Sequence, residues 1–460
     1  MESDERPPLV VGAAELDITP LLGVRIAGGF SPVYATDVHD PLRAKAVVIG
    51  DGKVKVAFVA LDVIALSLSD VEAIRSQVQQ ATGIAPHCVM VGCTHTHSGP
   101  ATQTIHEVEK EEAYVAWLIR RVADAVRLAD RRLRPARVAW GRGEQHDISF
   151  CRRYRMRDGT VRMNPGRGNP DILEPTSPID PTVGVLYAED LDGRPIAVVA
   201  QFGMHYVGTD ERTAISADYY GHFAAHMRRA LGDGCTPLLL NGALGQVNNV
   251  NPFDEHQDRG HARGRRIAGA LAGEVLKVIG RARRVAACPL DAATAAVELP
   301  KKTITPEDVE VARAILAGRD PRPGSGPFSH VVGEPIPDRL RPVFARHVLR
   351  LAQMPSSFRT EVQVVRVDDS AWIGLPGQTF TELSLAIAQR SPAPYNFVVN
   401  LANDNLGYIA TDRALLHEGG YETWAAPSNP VGVGAEGITV EAAVQLLNQL
   451  FGAGAGRQAG

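Results

Sequence analysis

Residues 89–100, VMVGCTHTHSGP, constrain the chain more than any other stretch, because an apolar run stops abruptly at His95-Thr96-His97 and a Ser-Gly-Pro turn. Such a run reads as a buried strand emerging into a loop. Side chains two apart on extended backbone share a face, so His95 and His97 reach into one site at the strand exit. Two imidazoles on one face point to a metal, although an isolated pair also serves as an ordinary hydrogen-bonded strand cap. A third histidine weighs toward the metal: the strand PIAVVAQFGMHYVG likewise ends on His205. Core histidines scattered without function would not collect at strand exits.

The order of the remaining patterns predicts layered α/β structure. Asp51-Gly52 turns AVVIG back into VKVAFVALDVIAL, a hairpin signal. A helix is predicted over 69–82, ended by Gly83, then the strand carrying the histidines, then a long helix over 109–130. Asp192-Gly193 joins TVGVLYAED to the strand that ends on His205, and Asp158-Gly159 marks another hairpin. The apolar residues 237–240 open into NGALGQVNNVN, rich in residues that tolerate φ > 0 and close approach. A loop of this kind after a buried strand reads as a substrate loop, with Asn241, Gly245, Gln246 and Asn249 as its contacts and Tyr421 joining them from a later Gly-Gly turn. Residues 318–337, dense in Gly and Pro, read as a mobile surface excursion or lid, and residues 452–460 as a disordered tail. With no repeat and no long linker, residues 1–460 are expected to form one large domain of mixed sheets flanked by helices, its pocket at strand ends.

Composition excludes several classes. At 45% hydrophobic and 22% charged the chain is globular, and a formal net charge of −4 from interspersed signs leaves no nucleic-acid footprint or polybasic membrane patch. No apolar run approaches about eighteen residues, and MESDERPPLV lacks the basic-then-apolar order of a secretory signal, so a cytoplasmic location is expected. Five scattered cysteines without CxxC spacing read as reduced thiols. Asp62, alone in an apolar strand, must find a partner, either as a holder of a metal ligand or as a cap. Arg152 and Arg153 sit in a loop, where arginines bind carboxylates or oxyanions. His39-Asp40 is a candidate pocket-floor pair. The histidines at 87, 106, 146, 222, 226, 256, 261, 330, 347 and 417 are assigned to surface or packing roles.

Taken in order, HTHSGP (95–100), DPTVGVL (180–186), the strand ending on His205, SADY (216–219), the NGALGQVN loop, LPGQTFTEL (375–383) and GYIATDRALLHEGGYE (407–422) resemble the catalytic domain of neutral, non-lysosomal ceramidases and their bacterial relatives. The resemblance implies a zinc ion held by two histidines, a glutamate and a tyrosine, and cleavage of an amide bond. Carried over by motif, His95 and His205 match the histidine ligands, Tyr408 the tyrosine, His97 the histidine that meets substrate, and Arg152 or Arg153 the arginine near the oxyanion. Two positions depart from the family. Its ligand glutamate lies in LPGE, where this chain has Gln378, an oxygen donor without charge that implies weaker zinc binding. Its GDVSPN loop carries a serine, where this chain has Gln246 and Asn248, so the expected nucleophile is metal-activated water. Asn248 or Asn249 would then donate to the oxyanion, a role worth about 3 kcal/mol. Without the family's second domain and export signal, a small soluble amide is the expected substrate. Two other readings stay open: a repurposed cyclase, isomerase or acyl-transfer enzyme using the same pocket, and a binding protein without turnover.

Overall fold

A computed structural model describes residues 7–208, 210–321 and 328–452. The tail expected at 452–460 lies, beyond Gly452, outside the described residues, as do residues 322–327 of the excursion.

Two mixed sheets flanked by helices carry the fold, as the patterns predict. The larger has eight strands in the order Thr236–Asn241, Pro195–Phe202, Thr182–Asp190, Arg134–Glu144, Val10–Asp17, Arg43–Gly50, Lys55–Leu61, Val89–Cys93. The smaller runs Leu290–Pro300, Ser357–Val367, Ser370–Gly374, Tyr395–Val399. The Asp-Gly turns set the antiparallel hairpins, with Ala46 opposite Val59 and Leu186 opposite Val199. Helix Leu68–Thr82 begins with a capping box of Ser67 and Asp70 and ends on the left-handed Gly83, as its sequence signals require.

Three times a strand passes through a helix into a parallel partner. Lys55–Leu61 leads through Leu68–Thr82 to Val89–Cys93, Pro195–Phe202 through Asp218–Leu231 to Thr236–Asn241, and Ser370–Gly374 through Thr381–Arg390 to Tyr395–Val399. Loops leaving the carboxyl ends of these strands carry His95, His97, His205, Gln378 and Tyr408. The exits are sewn together. Asn241 Nδ2 donates to the carbonyls of Cys93 at 3.2 Å and Thr94 at 2.8 Å, so the two edges of the larger sheet meet, and Asn400 N donates to Asn241 O at 2.8 Å. Ligand crevices in α/β sheets lie at this end of the strands.

The sheets share one core. Trp372 packs 5.3 Å from Phe58 of the larger sheet and 4.9 Å from Phe397 of its own. The part-buried ion pair Arg75–Glu361, 2.6 Å, joins helix Leu68–Thr82 to the smaller sheet. Asp62 finds its partner in Lys45, Nζ 3.1 Å away, and accepts from Arg43 N, so it braces neighbouring strands and holds no ligand histidine.

The excursion differs from expectation. Phe328 and Ile336 are buried against helices Pro306–Leu316 and Arg341–Ala352 and against Trp424. These helices expose apolar faces that the larger core leaves uncovered, and the excursion supplies the apolar cover. Among the described residues no helix is long and apolar enough to cross a membrane, and all five cysteines are free and buried.

Candidate active site

His95 follows its strand by two residues and adopts φ 63°, a left-handed conformation uncommon for a residue with a Cβ. The turn replaces the straight extended run predicted from sequence, yet both histidines still reach one point. His95 N donates to Val63 O at 3.0 Å and Nδ1 to Ile64 O at 2.8 Å. A carbonyl only accepts, so Nδ1 carries the proton and Nε2 presents its lone pair to the cavity. The rings of His95, His97 and His205 lie 4.6 to 5.0 Å apart, their ligand atoms all within 4.8 Å of one another. Burial, then the neighbouring histidine and Arg152, pushes His95 down to about 3; burial and Arg152 push His97 to about 4, and burial carries His205 far below its ordinary value. All three imidazoles are neutral at pH 7, the state a metal needs.

Arg152 stands behind His205. Its guanidinium donates from Nη1 to His205 Nδ1 at 3.1 Å, from Nε to Glu422 Oε1 at 2.7 Å and from Nη2 to Gly245 O at 2.8 Å. It also lies 5.3 Å from the centroid of the Tyr408 ring. A guanidinium cannot accept, so with Arg152 on Nδ1 the proton of neutral His205 sits on Nε2, which faces His97 Nε2 at 2.8 Å. Nε2 would hold an ion only with that proton moved to Nδ1 and Arg152 turned away from it. Burial alone would raise Glu422, but Arg152 and Arg153 hold it below the usual carboxylate range.

Gln378 completes the donor set. Its Oε1 is buried without a hydrogen-bond partner and lines the same cavity as the three histidines and Tyr408. An orphaned buried oxygen beside three neutral nitrogens and a phenol is a mixed N/O set that fits a zinc-type ion. The cavity measures about 50 Å³, and Tyr421, Phe344, Trp424 and His106 wall it. Gly28 packs directly on His97: at φ 91°, a Cβ there would stand 2.4 Å from His97 Nδ1. Asp218 pins the histidine loop from below, accepting from Thr96 Oγ1 at 2.8 Å, Ser98 Oγ at 3.1 Å and His97 N at 3.3 Å.

Residues 9–237 match the family described as neutral/alkaline non-lysosomal ceramidase, N-terminal. Residues 9–237 of this chain belong to that family. The neutral ceramidase of Pseudomonas aeruginosa is 26% identical over 211 residues, which cover 41% of this chain and only 30% of that protein. A ceramidase solved in complex with C2 superposes with a TM-score of 0.72 at 18% identity, over 99% of this chain and 77% of the other. The crystal structure of neutral ceramidase from Pseudomonas aeruginosa gives 0.71 at 19% identity, over 99% and 76%. At such identity the likeness is one of fold.

Within this ceramidase fold the residues singled out from sequence divide. His95, His97, His205, Gln378, Tyr408 and Tyr421 surround the cavity. Arg152 touches His205, whereas Arg153 is a step further out, bound to Glu422 and Glu418 and lying over Phe380. The loop expected to contact substrate needs correction. Asn248 is fully buried, donates to Asn164 Oδ1 at 3.0 Å and accepts from Val250 N at 3.0 Å, and it does not line the cavity. Asn249 closes on the backbone of Val207 through both its oxygen and its nitrogen. Gln246 bridges Ser177, Thr381 and Glu382, and Asn241 also takes the Tyr220 hydroxyl. Polar side chains in a buried loop must satisfy one another first. The loop is therefore a wedge: His205 N donates to Val247 O at 3.3 Å, and Gly245 offers Arg152 its carbonyl. His106, assigned from sequence to a surface or packing role, instead walls the cavity, and sequence reasoning gave no site role to Glu422, Asp218, Gly28, Phe344 and Trp424. Only Glu422 and Asp218 left a trace, as acids inside the GGYE and SADY motifs.

Proposed function

We propose that this chain is a metal-dependent amidase that cleaves the C–N bond of a small, soluble amide in the cytoplasm. The observation that carries the reading is the convergence of three neutral imidazoles on one buried cavity whose remaining oxygen donor, Gln378 Oε1, has no protein partner. His95, His205, Gln378 and Tyr408 would hold the ion. When bound, a zinc-type ion supplies a polarised carbonyl and a water of lowered pKa. His97, neutral and at the edge of the donor set, takes the proton of the attacking water and returns it to the leaving amine. Arg152, anchored by Glu422, orients His205 and Tyr408. Asn248, already committed to Asn164 and Val250, supports water as nucleophile, because no hydroxyl stands in its place. The cavity at the three histidines is tight, about 50 Å³, which supports a small group at the reacting centre.

Turnover on a panel of short amides tests this. Activity lost on chelation, restored by Zn²⁺ and reduced more than about 100-fold in His95→Ala is expected. Amide hydrolysis indifferent to both treatments would overturn it. The uncharged Gln378 and the committed Asn248 favour one second reading, a pocket kept for cyclisation, isomerisation or acyl transfer. Absence of amide hydrolysis in the zinc-loaded wild type, with amidase activity appearing in the Gln378→Glu, Asn248→Ser double variant, would select it.

A further inference from the structure

His39, His222 and His261 come from three elements that the active site does not use for its donors. His39 follows the strand Asp37–Val38, His222 lies on helix Asp218–Leu231, and His261 opens helix Gly260–Arg281. One ring nitrogen of each lies within 4.8 Å of the other two. The rings of His39 and His261 stack in parallel at 3.5 Å, and His222 meets them edge-on at 6.4 and 5.7 Å. His222 Nε2 is buried and has no hydrogen-bond partner, a costly arrangement unless something else takes its lone pair. The Glu211 carboxylate stands 3.8 Å from His39 Nδ1, an oxygen donor at the rim.

We propose that these three histidines form a second metal site, selective for a zinc-type divalent transition ion, with Glu211 or water as fourth ligand. Three imidazole nitrogens and one oxygen suit Zn²⁺, Co²⁺ or Ni²⁺ and not the oxygen-seeking Mg²⁺ or Ca²⁺. The stacked rings of His39 and His261 splay on binding, since both lone pairs must converge on one ion at about 2.1 Å. Burial, which pushes His222 down to about 4, keeps that ring neutral and ready to bind. The site is structural. It ties the two helices to the loop of Asp40, whose carboxylate accepts from Ser216 Oγ at 2.9 Å and Ala217 N at 2.7 Å. That turn delivers Asp218 to the loop of His95 and His97, so the second ion braces the first site from behind.

The experiment uses full-length protein carrying His95→Asn and His205→Gln, which disables the first site and leaves the second intact. Chelator-treated protein is reloaded with Co²⁺ or Zn²⁺, and metal content, cobalt absorption and melting temperature are read. About one bound ion and a zinc-dependent rise in melting temperature are expected, both lost when His261→Asn is added. A folded variant that binds no ion more tightly than about 1 mM, or binds equally with and without His261, overturns the proposal. Should the double variant fail to fold, wild type against His261→Asn gives the same answer, one equivalent fewer being expected and equal content overturning it. The difference made by His261 does not depend on whether the first site holds a metal or hydrolyses amides.

Discussion

Gln378 is where this chain departs most sharply from the glutamate its motif resembles, and its orphaned Oε1 makes the consequence measurable. Gln378→Glu adds a negative charge to an otherwise neutral donor set, so zinc affinity rises at least about tenfold in a competition titration. Unchanged affinity would remove the residue from the coordination shell. Glu422 acts one layer out. It is fully buried between Arg152 and Arg153, so Glu422→Gln leaves charge uncompensated and costs about 3–5 kcal/mol in denaturant unfolding. A mere positioning role for Arg152 further predicts a fall in kcat with KM held. The ligand histidines were legible because each stands at the end of an apolar run. Glu422 was not, because its partner Arg152 is 270 positions away and nothing local announces the pair.

The elements that build the site are three strand-helix-strand crossovers whose exits are stitched by Asn241 and Asn400. Hairpins were readable wherever Asp-Gly fixed the turn, as at 51–52 and 192–193. The 241–251 loop misled, because Asn and Gly signal backbone freedom equally for substrate contact and for tight internal packing. Helix Pro306–Leu316 went unread although Thr305 and Asp308 form a capping box with proline at the first turn. Thr305→Ala is expected to cost about 1 kcal/mol in thermal or chemical unfolding, with no change at the active site. Gly28→Ala tests the opposite case. Its Cβ would overlap His97, so activity falls at least about tenfold while secondary structure by circular dichroism is kept. Full activity would show that the Gly28 loop moves away freely.

At the scale of the molecule, Trp372 and the Arg75–Glu361 pair bind the two sheets into one core, so Trp372→Ala should cost about 3–5 kcal/mol and loosen both sheets together. Stability also depends on pH through a group far from the chemistry. Lys302 is buried with Asn429 O as its acceptor at 2.9 Å, and burial pushes it from 10.5 down to about 7. Between these values the unfolded chain holds a proton that the folded chain has lost. Stability contributed through Lys302 therefore rises with pH across that window, by up to about 1.4 kcal/mol per unit, and levels off at its lowest below about pH 7, where both states hold the proton. Lys302→Met should accordingly be more stable than wild type near pH 7, the gap closing toward pH 10 in denaturant titrations. The reading of the whole rests on His95 and His205 sharing one ion with Gln378. Anomalous diffraction at the zinc edge from zinc-loaded crystals measures this directly. A peak about 2.1 Å from the Nε2 atoms of His95 and His205, with Gln378 Oε1 turned toward it, is the predicted result. A fully loaded crystal with no peak between these two rings would contradict it.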